Sequence, residues 1–244
     1  MSKVVATTVL PEATGEVLTF GDTGDAIAIS GDSLNLNVLQ DAGGNNIFTS
    51  NGSGTLTSTA LSGAFNFISN SSITNGNSIE ITSNIDSTYD VYIFTVNIQG
   101  TLAGGNFNFQ CSTDGGSNYN TTVTSTAWRA KHLINDTGTP AINYEGGYDE
   151  SQATTYQTIG GYYRSIGDSS GTSLTGNLYL YAPSSTTYVK NWYSTIQLLS
   201  HDEASVEYFM SGYFNTTSAI NAISFKPSNG QFYGNITMYG ISKS

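Results

Sequence analysis

Charge is what this 244-residue sequence has least of: Asp, Glu, Lys and Arg together make up 10%, against about a quarter in an average globular protein. Cysteine is nearly absent. The single Cys111 excludes an intrachain disulfide framework, and one Cys with two scattered His cannot supply a zinc site. Those two histidines, His132 and His201, stand outside any G-x-S-x-G elbow, so no nucleophilic triad is expected. Basic residues number 7 against 18 acidic ones, a formal charge of −11. Such a field repels phosphate backbones, and the densest basic run is only Arg129-Ala130-Lys131-His132, so no nucleic-acid partner is expected. No apolar run approaches the ~18 residues of a membrane span. The opening Met-Ser-Lys-Val-Val-Ala-Thr-Thr lacks the apolar stretch of a secretory signal, which predicts synthesis in a cytoplasm without membrane insertion.

What is abundant is small and uncharged. The chain has 32 Ser, 32 Thr, 23 Asn and 27 Gly, with 16 Tyr and only 4 Pro. Aromatic and β-branched residues with little charge argue against disorder and for an all-β protein rich in turns. Up to Ile81 the chain is a train of short apolar pulses: Val17–Phe20, Ala26–Ile29, Leu34–Val38, Ile47–Phe48, Phe65–Ile68 and Ile79–Ile81. Between them lie turns such as Gly43-Gly44-Asn45-Asn46 and Asn51-Gly52-Ser53-Gly54. Strands this short cannot seal a core alone. Their uneven spacing disfavours a solenoid and favours a stem of three intertwined chains over residues 15–83, after a docking segment at 1–14. The alternative is that the pulses are edge strands of an ordinary sandwich.

From residue 84 the strands lengthen. Tyr92, Phe94, Val96 and Ile98 fall on one face of a strand, Leu178 and Leu180 alternate with Tyr179 and Tyr181, and Trp192, Ile196 and Leu198 share a face. Phe107 with Phe109, Ile223 with Phe225, and Phe232 with Ile236 and Met238 repeat the pattern. Six or more such strands with Gly, Asn and Ser turns predict an antiparallel two-sheet sandwich over 84–244. His201–Met210 is the one stretch read as a short helix. Asp114-Gly115-Gly116 reads as a hairpin-type turn, Pro183 as the residue that ends a strand, and Cys111 as a small buried hydrophobe.

Four segments in order carry a resemblance: Ser112-Thr113-Asp114-Gly115-Gly116-Ser117-Asn118-Tyr119, Ser173–Thr187, Phe214–Ile223 and Gly234–Ile241. Together they resemble virion structural proteins of tailed, especially marine, bacteriophages. The resemblance spans about two-thirds of the chain and implies a jelly-roll-like sandwich, often trimeric, at a fibre tip or head appendage. It brings no catalytic motif.

The Tyr-rich stretch from Tyr144 onward is the candidate binding surface, with Tyr148, Tyr156, Tyr162, Tyr163 and Arg164 as its residues, because an exposed Tyr offers an apolar ring and a polar tip. The alternative places these tyrosines in the core and on sheet faces. Asp22 with Asp25, and Asp149 with Glu150, lack the spacing of a calcium loop, so neither metal nor cofactor is expected. The expectation is a non-enzymatic virion protein: a homotrimeric tail fibre or fibre-like appendage. The N-terminal segment would join it to other virion proteins, and the sandwich would meet a host-surface glycan or protein. A capsid decoration or head-fibre protein is the alternative. A polysaccharide depolymerase, which would need two carboxyls about 5–9.5 Å apart in a cleft, is a lesser one.

Overall fold

Period-two alternation makes one side of each strand apolar, and such strands are stable only when that side meets another sheet. A computed structural model of the chain describes residues 38–40, 43–50, 56–57, 64–102, 105–163 and 173–242. Among them every regular element is a strand. The chain divides into two units, Met1–Leu61 and Ser62–Ser244. In the first, β1 (Val38–Gln40), β2 (Asn46–Ser50) and β3 (Leu56–Thr57) form an antiparallel sheet in that order. The 1–14 segment and the pulses at Val17–Phe20 and Ala26–Ile29 lie outside the described residues, as does most of Leu34–Val38.

The second unit is a sandwich. Its small sheet contains β5 (Ile79–Ile81), β7 (Gly105–Ser112), β10 (Gln157–Tyr163) and β14 (Ala222–Pro227), in the order β10-β7-β14-β5. Its large sheet contains β4 (Phe65–Gly76), β6 (Val91–Gly100), β8 (Val123–Leu133) and β9 (Ala141–Tyr144). It also holds β11 (Leu174–Tyr181), β12 (Lys190–Leu199), β13 (Ala204–Phe214) and β15 (Phe232–Ile241). The order across this sheet is β4-β15-β6-β11-β12-β13-β8-β9, antiparallel throughout. Only β8–β9 and the β11-β12-β13 meander join consecutive strands within one sheet; elsewhere in this unit the chain crosses between sheets.

The alternations put their apolar faces inward as expected. Tyr92, Phe94, Val96 and Ile98, then Leu178 and Leu180, then Trp192, Ile196 and Leu198 are all buried. Aromatic rings lock the sheets together: Phe109 meets Trp192 at 5.0 Å and Phe214 at 5.8 Å, Phe94 meets Phe225 at 5.7 Å, and Phe107 meets Phe232 at 5.4 Å. Cys111 is fully buried on β7, and burial pushes its thiol well up. Lys190 is also fully buried; its ammonium donates to the Tyr188 and Thr216 carbonyls at 2.9 and 3.1 Å. Desolvation lowers its pKa.

Three expectations change. The pulses at Phe65–Ile68 and Ile79–Ile81, read as stem, belong to the sandwich: β4 pairs with β15 and β5 with β14. β4 runs twelve residues because the Ser-, Asn- and Thr-rich stretch that hid it still donates and accepts ladder bonds. His201–Met210 is strand, not helix, from Ala204 onward. Ala204, Val206, Tyr208 and Met210 are buried at period two, and that burial overrides the helix preference of Ala, Glu and Met. Asp114-Gly115-Gly116 turns the chain between sheets and closes no hairpin, since β7 and β8 lie in different sheets. Gly115 and Gly116 do adopt positive φ, 74° and 91°.

That turn is organised by one carboxylate. Asp114 accepts from Ser112 Oγ at 2.6 Å, the Asn118 amide at 2.9 Å and Asn118 Nδ2 at 2.7 Å. These bonds, led by Ser112, lower its pKa from 3.8 to about 2. A carboxyl lowered on folding stabilises the fold above its unfolded pKa, and that contribution fades as pH falls toward its folded value. Asp114→Ala is therefore expected to lower stability most near neutrality. Denaturant titrations should show the gap to the parent closing between about pH 5 and about pH 2.

Glycines in the large sheet meet neighbouring backbone where a Cβ would stand, Gly234 among them. Gly234 has φ 126°, at a register shift of β15 against β4, and a Cβ there would sit 2.1 Å from the Asn97 carbonyl oxygen. Gly234→Ala is expected to cost about 1–3 kcal/mol, read as a lower thermal midpoint.

Candidate binding face on the eight-stranded sheet

The residues out of phase with the core form the outer face of the large sheet, and cross-strand register sorts them into rows. One row runs Tyr144, Trp128, Phe209, Thr195, Asn177, Thr95, from β9 through β8, β13, β12 and β11 to β6. Its first half is aromatic. Trp128 and Phe209 stack with centroids 4.0 Å apart and planes 10° apart. Trp128 stays 40% exposed and Tyr144 64%. The Tyr144 hydroxyl donates to the Asp149 carboxylate, which orients the ring and raises the phenol's pKa. Its second half is polar: Thr95 Oγ1 donates to Asn177 Oδ1 at 3.0 Å.

A neighbouring row carries Tyr179 and Tyr193, stacked at 4.5 Å and 7°, with Tyr181 at 6.1 Å from Tyr193. Partial desolvation raises the pKa of both stacked phenols. The row on the other side carries Gln197, Glu207, Ala130 and Ile142. Ala130 is a small residue between two larger ones, and around it lies an open depression of about 490 Å³, also lined by Pro140, His132 and Ser205.

Of the residues expected from the Tyr-rich stretch, Tyr148 and Tyr156 lie away from this face. Tyr148 packs edge-on to Tyr208 at 5.6 Å, beside the Arg129–Glu145 ion pair. The Tyr208 hydroxyl donates to the Gly161 carbonyl at 3.2 Å. Tyr148 thus helps close the sandwich where β8 and β13 meet β10. Tyr156 covers the outer side of the small sheet, donating to Ser224 Oγ at 3.1 Å beneath the Lys226 ammonium, 3.8 Å from its ring centre. The same segment caps Gln110, whose amide donates to the Thr155 carbonyl at 2.6 Å. Tyr162 and Tyr163 are placed as backbone of β10, and Arg164 lies outside the described residues, as do Asp22 and Asp25.

Several other chemistry-bearing groups are occupied. Asp149 holds Tyr144, and Glu150 accepts from Thr155 Oγ1 at 3.2 Å. His132 Nε2 lies 3.3 Å from Asp136 at the exposed end of β8, and Lys131 pairs with Asp202. Among the described residues no three of His, Cys, Asp and Glu converge as metal ligands would.

The outer-face aromatics had a sequence signal. Tyr179, Tyr181 and Tyr193 alternate with core residues and must face outward. The missing step was register: which strands are neighbours decides that Tyr144, Trp128 and Phe209 fall in one row. No family model, curated protein or solved structure matches this chain.

Proposed function

We propose that this chain is a non-enzymatic structural protein of a tailed-phage virion, a trimeric tail fibre or fibre-like appendage whose jelly-roll-like sandwich contacts the host surface. One observation carries the reading. The outer face of the large sheet is broad, holds exposed stacked aromatics and uncharged hydrogen-bonding side chains, and lies over a core sealed by the chain itself. Aromatic rings with polar tips form adaptable contacts at little entropic cost, whereas a surface needed only for solubility is normally covered in charge. The resemblance of the four ordered segments to phage virion proteins supports the same reading.

The argument for three chains rests on the first unit. With β4 and β5 in the sandwich, the strands too short to bury an apolar face are those before Ser62. Strands of three, five and two residues, with Val38 40% exposed, gain most from sister copies. Three sandwiches on one stem would raise a weak single-site affinity through effective concentration.

Light scattering of the full chain at micromolar concentration is expected to give about three times the 25.8 kDa chain mass; a monomer would remove the fibre reading. Mass spectrometry of purified particles should find tens of copies. Hundreds per particle would instead assign the chain to capsid decoration.

A further inference from the structure

Two adjacent rows on the outer face of the large sheet are apolar along their length, and we infer that the sandwiches of sister copies meet there. This rests on the trimeric reading above and leaves the Tyr144–Trp128–Phe209 end of the face for the host surface. One row runs Phe67, Tyr239, Ile93, Tyr179, Tyr193, from β4 through β15, β6 and β11 to β12. The other, two residues along, runs Phe65, Ile241, Val91, Tyr181 over the first four of those strands. Within them Phe67 meets Tyr239 edge-on at 6.0 Å, Tyr179 stacks on Tyr193, and Ile93 is 4% exposed between Tyr239 and Tyr179. Phe65 and Phe67 are left 64% exposed at the rim.

Charge, area and connection identify the occupant as a second copy of this chain. Each copy carries a formal charge of −11, so two copies repel wherever their carboxylates face each other and can approach only over surface that has none. Neither row holds a charged side chain. Five strands about 4.8 Å apart and two rows about 7 Å apart give a footprint of roughly 300 Å², well below the ~800 Å² per partner of a stable interface. A face of that size keeps a partner only when something else holds the partner near. The chain provides such a link. Phe65 follows Thr57 of β3 by eight residues, a reach of at most about 28 Å, so strands that associate between copies before Ser62 hold the sister sandwiches on short tethers and at high effective concentration. The rim fits the same occupant. β4 is the terminal strand of its sheet, and its twelve residues include no charge and no proline, the usual guards of a free edge.

Photo-cross-linking of the full chain tests the face. p-Benzoylphenylalanine replaces Phe67, and the protein is irradiated at micromolar concentration and run on a denaturing gel. Covalent chain-to-chain products are expected, with the link placed by digestion in β4, β15, β6, β11 or β12 of the sister copy. The same probe at Tyr144, at the far end of the face, should give about tenfold less. Adding Phe65→Ser and Tyr193→Ser to the Phe67 probe should lower its yield about tenfold. Matching thermal midpoints show that the variants are folded. Absence of chain-to-chain products from the Phe67 probe overturns the inference, as does a yield that the Tyr144 probe equals or that the two serine substitutions leave unchanged. Light scattering of the same samples separates this face from the fibre reading. A trimer that does not cross-link loses this face only; a dimer that cross-links keeps the face and loses the fibre reading; a monomer loses both.

Discussion

The ring of Phe109 is where the sandwich is joined. From the middle of the small sheet it touches Trp192 and Phe214 on the large sheet and stacks at 6.3 Å on Phe225 beside it. Phe225 in turn reaches Phe94, so the contacts run from β12 to β6 through one aromatic seam. Each such pair adds about 0.5–1.5 kcal/mol beyond burial alone. With no disulfide available, the two sheets depend on this seam and on the aliphatic side chains around it. It also forces the outer residues out: once Trp192, Ile196 and Leu198 are buried on the inner face, Tyr193, Thr195 and Gln197 must face outward.

The outer face of the large sheet is almost uncharged, whereas exposed sheet faces normally carry charge. Threonine, asparagine and glutamine hydrate well, tolerate strands to different degrees, and both donate and accept. A face made from them does not repel a neutral partner and carries little penalty for losing water to groups that make the same bonds. The aromatic part of the Tyr144–Trp128–Phe209 row supplies what the polar part lacks, area that water solvates poorly. Both halves come from the same device, a strand whose inward residues are committed to the seam.

Much of this was legible from residues alone. The faces of β6, β11 and β12 follow from Tyr92-x-Phe94-x-Val96-x-Ile98, Leu178-x-Leu180 and Trp192-x-x-x-Ile196-x-Leu198, because burial enforces period two. β4 was not legible. Phe65-Asn66-Phe67-Ile68 is a visible pulse, but the eight residues after it signal turn by composition, and only pairing with β15 makes them strand. β13 was misread because Ala, Glu and Met suit a helix, while the deciding fact, a neighbour on either side, is tertiary. In the Tyr-rich stretch composition identifies residues able to bind, while the fold engages two of them, Tyr148 with Tyr208 and Tyr156 with Ser224. The aromatic row of Tyr144, Trp128 and Phe209 was out of reach because its members are distant in sequence and meet only through register.

The central strand β7 has one more property. Cys111 sits on it with zero exposure, flanked by β14 at Ile223, and it is the chain's sole thiol. An alkylating reagent can reach that sulfur only after the small sheet has parted around it. The protein thus contains its own clock for opening: the pace at which one sulfur becomes modified reports how often the sandwich comes apart, with no residue substituted.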